Sequence, residues 1–132
     1  MKDWIVRNLD SVLISFIAFL SPIKPLMFTI GLLVAVDFIF GVYRAWKTKQ
    51  EITSRKMSNT ITKMLLYNLT VVSIWAIEKN ITGPDIPITK IAAGMICLVE
   101  FKSIDEAFKL LFGFSIWDKM KKSLSRGESL TK

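Results

Sequence analysis

Between Leu26 and Trp46 the chain runs LMFTIGLLVAVDFIFGVYRAW, twenty-one residues with one acid, Asp37, in the middle and one base, Arg44, near the end. At the α-helical rise this is about 31 Å, enough to cross the hydrocarbon core of a bilayer. An ionisable side chain at mid-membrane costs at least ~2.5 kcal/mol on insertion scales, so Asp37 requires a partner, an aqueous path or an oligomer. The run therefore directs the search for function to the membrane.

Composition agrees. The chain is 52% hydrophobic over only 132 residues, with a mean hydropathy of +0.43, unusually apolar for a small soluble domain. Its apolar residues come in blocks, and the pattern predicts one all-α integral membrane domain over 1–132: helices at about 4–20, 26–46, 60–77 and 87–101, an amphipathic helix at about 103–123 and a fraying basic tail over 119–132. The segment 4–20 is about 25 Å as a helix, so it either spans or lies along the interface, giving three or four transmembrane helices. Pro22 and Pro25 in SPIKP predict a tight connection and a helical hairpin. Lys2 and Arg7 precede the first apolar block, but Asp3 and Asp10 weaken the basic region and no small-x-small cleavage site follows, so the segment is expected to be retained.

Ser103-Ile104-Asp105-Glu106 has the form of a capping box and predicts a new helix start there. Gly113 is expected to interrupt that helix, and Ser115-Ile116-Trp117-Asp118 offers a second cap. Arg44–Lys63 carries six bases (Arg44, Lys47, Lys49, Arg55, Lys56, Lys63) against Glu51, and the tail from Trp117, with Lys119, Lys121 and Lys122, carries five bases against two acids. The positive-inside rule places both on the cytoplasmic side, as surfaces for lipid headgroups. Four crossings put both termini in the cytoplasm; three would leave the N-terminus outside. The bases sit at the ends of apolar segments, so the +7 net charge points to a bilayer and not to nucleic acid.

Asp37, Gly41 and Ala45 lie four apart along one helix stripe, with Arg44 near the same face. Gly41 and Ala45 form a small-xxx-small pair that admits a close helix. Either this stripe faces a partner subunit or an aqueous lumen, with Asp37 as the polar element that drives assembly, or Asp37 pairs inside one bundle with Arg44, Lys63 or Asn68. In the fourth helix Ala93, Gly94 and Cys97 form a small-residue strip, read as tight packing, that ends in Glu100. Asp37 and Glu100 fall toward the same half of the membrane, where a carboxylate pair could bind a proton or a cation. The single Cys97 excludes a disulfide framework, and the absence of His leaves no zinc site or Cys-His dyad. With no phosphate-cradling Gly loop or nucleophile motif, neither an enzyme nor a cofactor is expected. Trp4, Trp46, Trp75 and Trp117 fall near segment ends, as interfacial anchors do.

The order LLVAVDFIFGVYRAW, ITSRKMSNTITKMLLYNL, LVEFKSIDEAFKLLFGFSI resembles the toxin-secretion/phage-lysis holin family, small phage-encoded inner-membrane proteins. The matching residues are Asp37, Gly41 and Ala45; Ser54, Lys56 and Lys63; and Glu100, Ser103, Ile104 and Glu106. The resemblance implies a homo-oligomer in the bacterial cytoplasmic membrane that opens a lesion through which an endolysin, its functional partner without direct binding, reaches the cell wall. The alternative is a structural or ion-conducting subunit of a larger membrane machine.

Overall fold

The computed structural model describes residues 1–130, with side chains described through 127. The elements are α1 (Lys2–Leu20), a 3-10 turn (Ser21–Ile23), α2 (Lys24–Lys47), α3 (Ser54–Ile77), a π-type turn (Glu78–Thr82), α4 (Ile88–Phe112) and α5 (Ile116–Leu130). No strand occurs among the described residues.

α2 is the centre of a three-helix bundle, packed most extensively on α4 and also on α3, while α3 and α4 touch each other. The stripe Ile23, Ile30 and Val34 meets Val71 of α3 and Ala93 of α4 in a narrow core, with Met27, Tyr67, Trp75 and Cys97 packed around it. Gly31 brings two helices together: a Cβ built there lies 3.3 Å from Met64 Cε. Most of the apolar surface faces outward instead, including Leu32 and Ile39 of α2, Leu65 and Leu69 of α3, and Met95 and Leu98 of α4.

Two helical runs are long and apolar enough to cross a membrane, Lys2–Lys47 and Ser54–Thr82. Only 11% and 6% of their most apolar windows are buried. A core helix of a soluble protein would be largely covered by its own chain, so these surfaces suit lipid or other subunits. α4 falls outside that class because Lys90, Glu100, Lys102, Asp105 and Glu106 lie along it.

Three expectations are corrected. The hairpin between the first two helices does not form: α1 has no buried residue, and the backbone keeps right-handed helical angles through Leu20, Ser21, Ile23 and Lys24. Pro22 and Pro25 each sit in the first turn of a helical segment, where a missing N–H removes no helix bond, so they continue the chain without reversing it. Within α1, Asp3, Arg7, Ser11 and Ser15 recur every four residues as a polar stripe, with Lys2, Asn8 and Asp10 adding polar groups in the N-terminal half.

The second correction concerns the capping box. The helix expected to end at 101 continues unbroken through Ser103 to Phe112, because the Ser103 hydroxyl donates to Asp37 Oδ1 at 2.7 Å instead of capping its own helix. The break comes at Gly113, whose φ of 80° places it in the left-handed region at the helix C-terminus. The third is the tail, which is helical to Leu130; its residues 131–132 lie outside the described residues. The second cap forms as expected, Asp118 N donating to Ser115 Oγ at 3.1 Å.

The connections group at two ends. Lys79 of the π-type turn lies 5.0 Å from the Phe19 ring centroid at the end of α1, so the SPIKP connection and the Glu78–Thr82 turn share one end of the bundle. Lys47 Nζ donates to Leu111 O at 3.3 Å, which brings the basic loop and the end of α4 together at the other.

Candidate functional site

The three ionisable side chains Asp37, Lys63 and Glu100 come from three different helices and meet at one level of the bundle. Lys63 Nζ donates to Asp37 Oδ2 at 3.0 Å and to Glu100 Oε2 at 2.8 Å. Two neutral hydroxyls complete the set: Tyr67 OH donates to Glu100 Oε1 at 2.9 Å and Ser103 Oγ to Asp37 Oδ1 at 2.7 Å. Local helix geometry places Tyr67 one turn after Lys63, so α3 supplies two donors, and Ser103 less than one turn after Glu100, so α4 supplies an acceptor and a donor. Each of the four carboxylate oxygens therefore has its own donor.

Burial is graded across the group. The Glu100 side chain is 2% exposed, Asp37 20% and Lys63 30%. In a low-dielectric surrounding, charge-assisted bonds of this length are the strong ones, and removing one partner strands the others. The arrangement ties α2, α3 and α4 together through charge, at a depth where aliphatic packing alone does not fix helix register.

This geometry selects among the sequence expectations for Asp37. Of the intra-bundle partners considered, Lys63 is the one it finds. Neither Arg44 nor Asn68 is bonded to it; Asn68 Nδ2 donates to Met64 O instead, and Asn68 Oδ1 is buried with no hydrogen-bond partner among the described residues. The carboxylate pair is likewise no vacant cation site, because the Lys63 ammonium stands between the two acids. No group of His, Cys, Asp and Glu that could hold a metal occurs among the described residues.

The small-residue stripes divide. Ala45 is buried within the chain, so the lower part of the Asp37–Gly41–Ala45 stripe faces its own bundle and not a partner subunit. At Gly41 a Cβ would meet nothing within 4 Å, and the residue lines a cleft of about 380 Å³ with Asp37, Arg44, Ser103 and Glu106. Ala93 packs in the core and Cys97 against it. Gly94 does not; it is exposed, with open space at its Cβ position.

The predicted basic residues line the end of the bundle that carries the loop. Arg44 and Lys56 border the cleft, and Lys49 and Arg55 are exposed. On α5, Lys119 Nζ lies 3.9 Å from the Phe114 ring centroid, Lys121 Nζ lies 5.4 Å from that of Trp117, and Lys122 is exposed. Such cations over exposed aromatic rings suit an interfacial helix.

Sequence reasoning missed three contributors. Tyr67 and Ser103 are drawn in by carboxylates far along the chain. Asp105 is the third: its Oδ2 accepts from Ser115 Oγ at 2.6 Å, and its Oδ1 from the backbone N–H groups of Ile116 and Trp117 at 2.6 and 3.2 Å. It thus caps α5 from α4. At the opposite end Glu78 Oε2 accepts from Thr89 N at 2.6 Å and serves α4 in the same way.

In comparison with known proteins, the model of the bacteriophage holin family matches residues 13–127. The match takes in the bundle, the charged group and most of α5. Neither the curated proteins nor the solved structures give a match.

Proposed function

Because the chain belongs to the bacteriophage holin family, we propose that it accumulates in the bacterial cytoplasmic membrane, oligomerises there and opens a lesion through which an endolysin escapes to the cell wall. Its action is assembly and not catalysis. The observation that carries this reading is the family match over most of the chain. The outward-facing apolar surface of α2, α3 and α4 supports it, because a bundle with so narrow a core must satisfy that surface with lipid or with other copies.

In this reading α2, α3 and α4 cross the bilayer. Glu100 is tolerable in α4 because Lys63 and Tyr67 satisfy its carboxylate. The basic loop and α5 lie on the cytoplasmic side. α1, which buries no residue and meets the bundle at its C-terminal end through Phe19 and Leu20, lies along the far interface, which favours the three-crossing arrangement and an N-terminus outside. The exposed Gly94 face of α4 is the candidate contact between copies, and the charged group holds each copy's three helices together during assembly. Endolysin is a passenger that needs no binding surface.

The test is expression of the chain alone in a bacterium with a potential-sensitive dye. A lesion-former depolarises the membrane and stops growth unaided. A subunit of a larger machine leaves both unchanged until its partners are supplied, and that result would refute the reading.

A further inference from the structure

We propose that the cleft between the loop-side ends of α2, α3 and α4 binds a phosphoethanolamine group, the zwitterionic headgroup of a phospholipid. Three charged side chains from three helices border it: Arg44 of α2, Lys56 of α3 and Glu106 of α4. None of the three has an ion-pair partner among the described residues. Charged groups of both signs that converge on one space without pairing to each other are arranged for a guest that carries both charges itself.

The inner wall explains why the guest must be dipolar and not simply anionic. Asp37 also borders the cleft, and its two oxygens are already taken by Lys63 and Ser103, so the acids and bases around the space balance at two each. A phosphate alone would gain Arg44 and Lys56 but face Glu106 and Asp37. An ammonium beside the phosphate turns the Glu106 repulsion into a charge-assisted hydrogen bond. Arg44 presents the planar fork suited to phosphate oxygens and Lys56 a mobile point charge. Asn59 adds a neutral amide at the same wall.

Size and position agree with this guest. At about 380 Å³ the cleft falls at the lower end of small-ligand sites, the scale of a headgroup. Gly41 keeps it open, since any side chain there would project into space that is now free of protein atoms. The cleft lies where α2 ends and α3 begins, close to the exposed Trp46, the level at which headgroups meet a membrane protein.

The experiment measures thermal unfolding of the purified full chain in neutral detergent micelles doped with dioleoyl phosphatidylethanolamine, phosphatidylcholine or phosphatidylglycerol, with soluble phosphoethanolamine as a separate arm. Phosphatidylethanolamine should raise the midpoint saturably, by at least ~3 °C at excess lipid. Phosphatidylcholine, whose quaternary ammonium has no N–H to donate, and phosphatidylglycerol, which has no cation, should each give less than half that rise. Glu106→Gln and Arg44→Gln should keep the lipid-free midpoint and lose the phosphatidylethanolamine increment. An equal rise with soluble phosphoethanolamine would assign the same site to a free compound and not to a lipid. Equal rises with all three lipids, or an increment that persists in both variants, would overturn the proposal.

Discussion

Replacing Lys63 with methionine removes the cation that bridges Asp37 and Glu100 while keeping most of the side-chain volume. The lost interactions are two charge-assisted hydrogen bonds, at 3.0 and 2.8 Å, each worth roughly 1.5–3 kcal/mol when the group is buried. Lys63 is 30% exposed and Asp37 20%, so water recovers part of the Asp37 bond; the Glu100 side chain, at 2%, recovers almost nothing. The expected cost is about 3 kcal/mol, dominated by a stranded Glu100 carboxylate. Glu100→Gln leaves Lys63 with Asp37 and should cost less, about 2 kcal/mol, and Asp37→Asn, which retains an acceptor for Ser103 and leaves the Lys63–Glu100 bond intact, about 1 kcal/mol. Chemical unfolding in mixed micelles, followed by Trp fluorescence, gives the ranking. The double variant Lys63→Met/Glu100→Gln should be more stable than Lys63→Met alone, because the stranded charge is gone; additive costs, or a Lys63→Met variant within ~0.5 kcal/mol of wild type, would refute the ion-pair account.

Gly31→Leu should force α2 and α3 apart, since the nearest atom to a Cβ there is already 3.3 Å away on Met64; a loss of about 2 kcal/mol in the same assay is expected, with Gly31→Ala much milder because the Met64 terminus can move. Gly41→Leu, by contrast, meets open space and should leave stability within ~1 kcal/mol of wild type, a comparison that separates the two glycines. Asp105 caps α5 from α4 through Ser115 Oγ and the backbone N–H groups of Ile116 and Trp117, so removing its charge should open α5 to trypsin. Asp105→Asn should raise that cleavage at neutral pH. Gly113→Ala should cost about 1 kcal/mol, because a φ of 80° is unfavourable with a Cβ.

What the sequence revealed follows the range of the interactions involved. Period and hydropathy located α2 and α3, and Gly113 and Ser115 marked the break before α5, because those signals act within one turn of chain. The same local reasoning failed where a distant group competes: Ser103 has every mark of a helix cap, yet its hydroxyl bonds to a carboxylate 66 residues away. Pro22 and Pro25 misled in another way, since proline is equally at home in a turn and in the first turn of a helix. The charged group was visible as its parts. Asp37 and Glu100 stood out as acids in apolar runs and Lys63 was among the candidate partners, but that one ammonium bridges both acids depends on how three helices cross, which no periodicity encodes. Gly41 illustrates the limit: small-xxx-small spacing predicts close approach, and here the missing side chain opens a cleft instead.

Reconstitution tests the lesion itself most directly. Purified chain is inserted at increasing density into vesicles that contain a small dye and a folded endolysin-sized enzyme, and release of both is followed over time. The account predicts a density threshold above which the enzyme and the dye escape together. Release of ions or small dye alone at every density, with the enzyme retained, would contradict it.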